Sequence, residues 1–221
     1  MLDTGTQVQL KGIKKIAARR MVQAWQAPVF HLSTDIDMER LLVLAKKTEG
    51  ATVTDVLIQL VGQSLQANPD LNAHYADEVV TTFTEVNIGI AVATPAGLVV
   101  PVVHSVEGND LTTIAGKRSD VVTRARDGKL GMADIEGATF TISNLGMLGI
   151  DSFDAIVNPP QVGILAIGST REIPVVFESK IIHRKRANFT LTCDHRAIDG
   201  ATGAYFLAHL RGLIESVGEP V

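Results

Sequence analysis

Two stretches of this chain, residues 86–103 and 155–170, carry no charged side chain. Each is long enough to be taken for a membrane-spanning helix. Neither can form an unbroken one. The first contains Asn87, Pro95, Gly97 and Pro101, and the second contains Asn158, Pro159 and Pro160. Proline removes a backbone donor and collides with the preceding helical turn. These stretches are therefore expected to be short buried strands joined by turns.

The rest of the chain is patterned around them. Ile13, Ile16, Ala17, Met21, Ala24 and Trp25 recur at helical spacing, and Pro28 stops that helix. Residues 29–36 read as a strand with Phe30 and Leu32 at period two, and 38–47 as a short helix. Thr54 is expected to cap a helix over 55–67. Strands over 86–93 and 98–103 flank the turn Thr94-Pro95-Ala96-Gly97. A helix over 111–126 ends at Asp127-Gly128. Strands follow at 139–143, 162–168, 175–178 and 180–193, then a helix over 200–215. Strands and helices do not alternate strictly, so a doubly wound parallel sheet is not expected. A mixed sheet with helices on one face fits better.

The 221 residues are 46% hydrophobic, which suits one domain with a substantial core. Twenty basic and 24 acidic residues leave a net charge of -4, with no nucleic-acid footprint. Lys14, Lys15, Arg19 and Arg20 read as the solvated face of a helix rather than a membrane or RNA contact. The single cysteine, Cys193, cannot form a disulfide within the chain, and no secretory signal is visible. Both point to a reducing compartment, cytoplasmic or, in a eukaryote, the mitochondrial matrix.

The feature richest in chemistry is Asp194-His195-Arg196-Ala197-Ile198-Asp199-Gly200. His195 follows the apolar residues Phe189, Leu191 and Cys193 at period two, at the end of a strand. That position predicts partial burial, which favours the neutral imidazole a general base needs. Asp199 stands four residues on, where a charge pair can orient the site. A metal centre is not expected: one histidine and carboxylates on opposite strand faces converge poorly. The other histidines, His31, His74, His104, His183 and His209, show no ligand spacing. Cys193 and His195 lie on one strand face without aiming at each other, so Cys193 is read as core. Gly146-Met147-Leu148-Gly149 lacks the third glycine of a phosphate-cradling loop.

The histidine–three residues–aspartate–glycine frame resembles the signature shared by dihydrolipoamide acyltransferases and chloramphenicol acetyltransferases. Other motifs favour the first of these. They are Val86-Asn87-Ile88-Gly89-Ile90-Ala91-Val92-Ala93-Thr94-Pro95 with Gly97-Leu98-Val99-Val100-Pro101-Val102, then Ala125-Arg126-Asp127-Gly128-Lys129-Leu130, and Thr139-Phe140-Thr141-Ile142-Ser143-Asn144-Leu145-Gly146. Asn158-Pro159-Pro160-Gln161 with Ile164-Leu165-Ala166-Ile167-Gly168 completes the set. The resemblance covers residues 13–215 in order. It identifies the chain as similar to the catalytic core of a dihydrolipoamide acyltransferase of a 2-oxo acid dehydrogenase complex.

The resemblance implies an α+β two-layer sandwich like that of chloramphenicol acetyltransferase, with residues 1–12 extended and 13–221 forming the catalytic domain. It also implies a homotrimer with active sites between subunits. Acyl groups, acetyl in preference to succinyl or branched ones, would pass between dihydrolipoamide and coenzyme A. Carried onto this chain, His195 is the base, Asp199 the signature aspartate and Ser143 the hydroxyl that binds the oxyanion. Asn144, Gly146 and Arg196 are placed at the substrate, with an ion pair inside its own turn as the other reading of Arg196. No lipoyl or subunit-binding domain is seen here, so the lipoyl group is expected from a domain outside this chain, and other components of the complex are expected partners. In chloramphenicol acetyltransferases the signature aspartate pairs with an arginine near the N-terminus. Here Lys14 or Lys15 is expected to take that place, with less rigidity than an arginine fork gives. The ending Gly218-Glu219-Pro220-Val221 has no leucine-rich hook, so a trimer that stops short of a larger shell is expected. An O-acetyltransferase of small alcohols and a silent structural core are the competing readings. Both His195 and Ser143 are present, against the silent core.

Overall fold

The computed structural model describes residues 5–218. In chain order the elements are α1 (Gly12–Ala24), β1 (Val29–Asp37), α2 (Glu39–Lys47), α3 (Val53–Ala67), β2 (Ala73–Ala76), β3 (Val79–Thr82), β4 (Ile88–Ile90), β5 (Val92–Thr94), β6 (Gly97–Val99), β7 (Val102–Val103), α4 (Leu111–Arg126), β8 (Phe140–Asn144), β9 (Gly163–Ile167), β10 (Arg171–Phe177), β11 (Lys180–Asp194) and α5 (Gly200–Ser216). The main sheet has the order β1-β11-β9-β8-β4-β7, with β10 pairing the outer half of β11. β4, β8 and β9 run parallel, and the remaining pairings are antiparallel. The sheet is thus mixed, as the pattern of elements requires.

The two uncharged stretches lie at its heart. β4 and β9 are buried along their whole length. One face of the sheet, with Phe140, Ile142, Leu165, Phe189, Leu191 and Cys193, shares a core with α2, α3, α4 and α5. The rings of Phe140 and Phe206 meet at 5.7 Å. Gly203 in α5 is the close-approach point: a Cβ there would lie 2.9 Å from Leu32. The opposite face, with Ile164 and Ala166, is covered by Ala155 and Val157 from the second uncharged stretch. Helices therefore pack on one face and an irregular segment on the other. α1 stands apart. It buries only Ala24, and its Lys14 stem lies against Gly97 in β6.

Several expectations need correction. The first uncharged stretch is not two strands around one turn. Pro101 has no N–H to extend the ladder, and residues 92–99 fold into their own hairpin, β5–β6, closed by Thr94 Oγ1 donating to the Gly97 carbonyl (2.7 Å). Thr54 does not cap α3. Thr52 does, because Asp55 three residues on reaches back to its N–H and its hydroxyl, both at 2.7 Å. The β2–β3 hairpin was not legible: its turn is Asp77-Glu78 at positive φ, without the glycine that usually marks such turns. α1 begins at Gly12, and the start and end of the chain, residues 1–4 and 219–221, lie outside the described residues.

Candidate active site

β11 ends at Asp194, and the turn that follows carries His195. The His195 N–H donates to the Pro28 carbonyl at 2.8 Å. Its imidazole lies 4.7 Å from the Phe30 ring, tilted by 52°. Expected burial is not realised within the protomer. His195 is exposed: the strand stops one residue before it, and the ring rests against Phe30 of β1 at the end of the sheet.

The turn is closed from beneath. Asp194 is 3% exposed. Its Oδ1 accepts from the Arg196 N–H (3.0 Å) and Nε (2.9 Å), and its Oδ2 accepts from Nη2 (2.6 Å). The Asp194 carbonyl accepts from the N–H groups of Ala197 and Ile198. The Arg196 guanidinium also lies 4.3 Å from the centre of the Tyr75 ring.

Asp199 is the N-cap of α5. Its Oδ1 accepts from the Thr202 N–H at 2.8 Å. Bonds from Thr202, first its backbone and then its hydroxyl, hold this carboxyl below the usual carboxylate range, with a smaller pull from His195. Asp199 is therefore ionised at neutral pH. It makes no ion pair with Lys14 or Lys15 within the protomer: the helix start satisfies it, and the Lys14 stem is engaged at Gly97. Burial, and then the Asp194 charge, push the Cys193 thiol up to about 12. A thiol so held is protonated and inert at neutral pH, which removes it as a nucleophile.

Ser143 lies near the end of β8, half-buried, opposite Ala166 of β9. Asn144 Oδ1 accepts from the Gly146 N–H at 3.0 Å and folds the chain sharply. Gly146 sits against the next strand's end, where a Cβ would meet the Gly168 carbonyl oxygen at 2.6 Å. The following Met147 and Leu148 are exposed.

One relation decides what this arrangement can do. Ala166 pairs with Ser143 on one side and with Thr190 of β11 on the other. Asp194 lies four residues beyond Thr190, towards the start of β8. Two strand spacings and four strand residues separate Ser143 from Asp194 by about 16 Å. Ser143 and His195 of one protomer thus lie at opposite ends of the sheet and cannot act on one carbonyl. A groove of about 890 Å³ between α2, the β10–β11 hairpin and the end of α5 contains none of these residues; Glu39, Arg184 and Val176 are among those lining it. Among the described residues no group of three or more acidic, histidine or cysteine side chains is placed to hold a metal.

Known proteins share this architecture. The family described as 2-oxoacid dehydrogenases acyltransferase (catalytic domain) matches residues 3–220. The dihydrolipoyllysine-residue acetyltransferase component of the pyruvate dehydrogenase complex of Rickettsia bellii is 35% identical over 214 residues, which is 92% of this chain and 51% of that protein. This chain spans about half the length of such relatives. A probable dihydrolipoamide acetyltransferase from Listeria monocytogenes superposes with a TM-score of 0.92 at 30% identity, over 98% of this chain and 97% of that one. The dihydrolipoamide acetyltransferase of Azotobacter vinelandii superposes with a TM-score of 0.89 at 30% identity, over 98% and 94%. In that enzyme a serine, a histidine 52 residues later and an asparagine four residues after the histidine have been investigated for their role in the catalytic mechanism. A chloramphenicol acetyltransferase superposes with a TM-score of 0.61 at 12% identity over 89% of this chain and 94% of its own, a likeness of fold alone. By its sequence over residues 3–220 and by its fold, the chain belongs to the 2-oxoacid dehydrogenase acyltransferase catalytic-domain family.

Proposed function

We propose that the protein transfers an acyl group, acetyl by preference, between dihydrolipoamide and coenzyme A, at sites formed between the subunits of a homotrimer. One observation carries the reading. Ser143, His195 and Asp199 repeat the spacing of the serine, histidine and asparagine investigated in the Azotobacter enzyme, 52 residues and then four. The separation of Ser143 from Asp194, about 16 Å by ideal strand spacing, supports a neighbour as the source of Ser143. So does α1, whose Ile16 and Val22, with Trp25 just past its end, are exposed in the protomer and suit a subunit contact.

The chemistry needs no covalent acyl-enzyme. The imidazole of His195 takes the proton of the attacking thiol as its sulfur bonds to the thioester carbonyl carbon. The oxyanion that forms accepts a hydrogen bond from Ser143 of the adjacent subunit, and losing such a donor typically costs about 2.7–4 kcal/mol. Collapse breaks the original carbon–sulfur bond, and the departing thiolate takes the proton back from His195. Asp199, ionised beside the imidazole, favours its transient positive charge. Asn144 and Gly146 shape the turn after Ser143 along the substrate path. Coenzyme A is a substrate in this scheme. The lipoyl group is carried on a lipoyl domain, and the assembly is a 2-oxo acid dehydrogenase complex in a reducing compartment.

The test is turnover of acetyl-, succinyl- and isobutyryl-coenzyme A with free dihydrolipoamide. Acetyl transfer should be fastest, and His195→Ala should remove most of it while leaving the oligomer intact. A preference for a hydroxyl acceptor would make the protein an O-acetyltransferase. No turnover with any donor would make it a structural core.

A further inference from the structure

Among the described residues, no side chain or backbone group hydrogen-bonds the His195 ring. Its aim is set by the backbone of a one-residue step between Asp194 and Arg196. Those two side chains close over that step. Asp194 is buried, and Arg196 binds it through its own N–H and through its guanidinium. Backbone bonds from His195, Ala197 and Ile198 hold the turn, and the guanidinium adds the side-chain clamp on Asp194. Its other support is the Tyr75 ring.

Tyr75 is itself fixed. It belongs to the β2–β3 hairpin, which pairs with none of the main sheet. Its N–H donates to the Pro160 carbonyl at 2.7 Å. His74 beside it bridges to Gln161, and its Nε2 lies 2.9 Å from the Ala138 carbonyl oxygen. A half-buried aromatic ring is thus held against a guanidinium whose side chain is 39% exposed and which water would otherwise draw away.

We propose that Tyr75 is a positioning residue for His195, acting through Arg196 and Asp194. The stack of ring, guanidinium and carboxylate keeps the His195 step in one conformation, so the imidazole meets the thiol in the geometry that proton transfer needs. It assigns Arg196 to the turn rather than to the substrate. The inference rests on the reading of His195 as the base.

The test compares Tyr75→Leu, Tyr75→Phe and Phe83→Leu with the unaltered protein in acetyl transfer to dihydrolipoamide. Leucine keeps the bulk but has no π face. Tyr75→Leu should lower kcat about threefold to thirtyfold, the range a guanidinium–ring contact spans, with KM for both substrates unchanged. Tyr75→Phe should restore kcat. Phe83→Leu loosens the same hairpin through His74, whose ring lies 4.6 Å away, without touching Arg196, and should leave kcat unchanged. If Tyr75→Leu yields no folded protein, Arg196→Lys replaces it: an ammonium loses the planar fork and should give the same selective loss of kcat. Unchanged kcat in Tyr75→Leu or Arg196→Lys, an equal loss in Phe83→Leu, or failure of Tyr75→Phe to restore kcat would overturn the inference. His195→Ala run alongside separates the two readings. An active His195→Ala defeats the base itself; an inactive one beside a fully active Tyr75→Leu defeats only the positioning.

Discussion

If Ser143 and His195 of one protomer lie about 16 Å apart along the sheet, neither can complete the other's site. Two inactive variants should then repair each other. In a cyclic trimer each interface is heterologous, so every site takes His195 from one chain and Ser143 from the next around the ring. Consider trimers mixed from Ser143→Ala and His195→Ala chains. An intact site needs the histidine of a Ser143→Ala chain facing the serine of a His195→Ala chain. Going round a ring of two chains of one kind and one of the other, that order occurs once, whichever kind is in the majority. Every mixed trimer therefore carries one intact site in three. Homotrimers of His195→Ala should be nearly inactive, and those of Ser143→Ala reduced about 100- to 1,000-fold, as for a lost oxyanion donor. Co-expression with two different affinity tags and sequential purification isolates the mixed trimers. Their acetyl-transfer rate should be about one third of the unaltered trimer's, far above either parent. Mixed trimers no more active than the better parent would refute the shared site.

Other consequences follow from the protomer itself. Arg118 binds the fully buried Asp55 through Nε and Nη2, both at 2.8 Å, so Arg118→Ala should cost about 3 kcal/mol in thermal or urea unfolding, the low end for a broken buried pair, because Thr52 still holds the carboxylate. Burial pushes the Asp55 carboxyl up, but the bonds from Arg118 and Thr52 outweigh it and leave it below the usual range; the stabilisation is thus present above about pH 4 and lost as pH falls, and the difference between the two proteins should narrow in acid. Asp199→Asn should keep kcat within about tenfold, since asparagine caps a helix as well as aspartate does, whereas Asp199→Ala should lower both kcat and melting temperature. Cys193 should resist thiol reagents at neutral pH in the folded protein, and Cys193→Ala should retain kcat; a loss matching that of His195→Ala would overturn the direct-transfer mechanism.

The parts of the fold that were legible are those in which local chemistry and burial agree. α4 runs over Leu111–Arg126, as its periodicity and the Asp127-Gly128 stop indicate, and Asp110 caps its start by accepting from the Thr113 N–H at 2.8 Å. β11 and α5 likewise fall within a residue or so of expectation, because a long alternating strand and a capped apolar helix each carry a strong period. Legibility failed where pairing, not pattern, decides. Residues 86–103 read as two strands, yet only β4 and β7 join the sheet, and the piece between them turns away to meet α1. β2 and β3 are four residues each, and β3 is exposed throughout, so neither shows the alternation that a buried face imposes.

The candidate site divides in the same way. A strand ending in Asp194-His195-Arg196 announces a histidine at the end of a strand, and a helix is read from about Gly200. What the pattern misjudged was the burial of His195. Period two counts residues along one strand, and it cannot register that the strand stops at Asp194. Nor does it contain Tyr75, which is 120 residues earlier and reaches Arg196 only because the hairpin folds back on Pro160. The distance between Ser143 and His195 is a further step removed. In sequence they share one chain, but the register through Ala166 sends them to opposite ends of the sheet. On the proposed mechanism, a protomer that exposes His195 at one end and half-exposes Ser143 at the other carries two half-sites. On the proposed reading, joining the His195 end of one copy to the Ser143 end of the next would complete each site in turn, cover the exposed imidazole, and give it the desolvated surroundings expected of a general base.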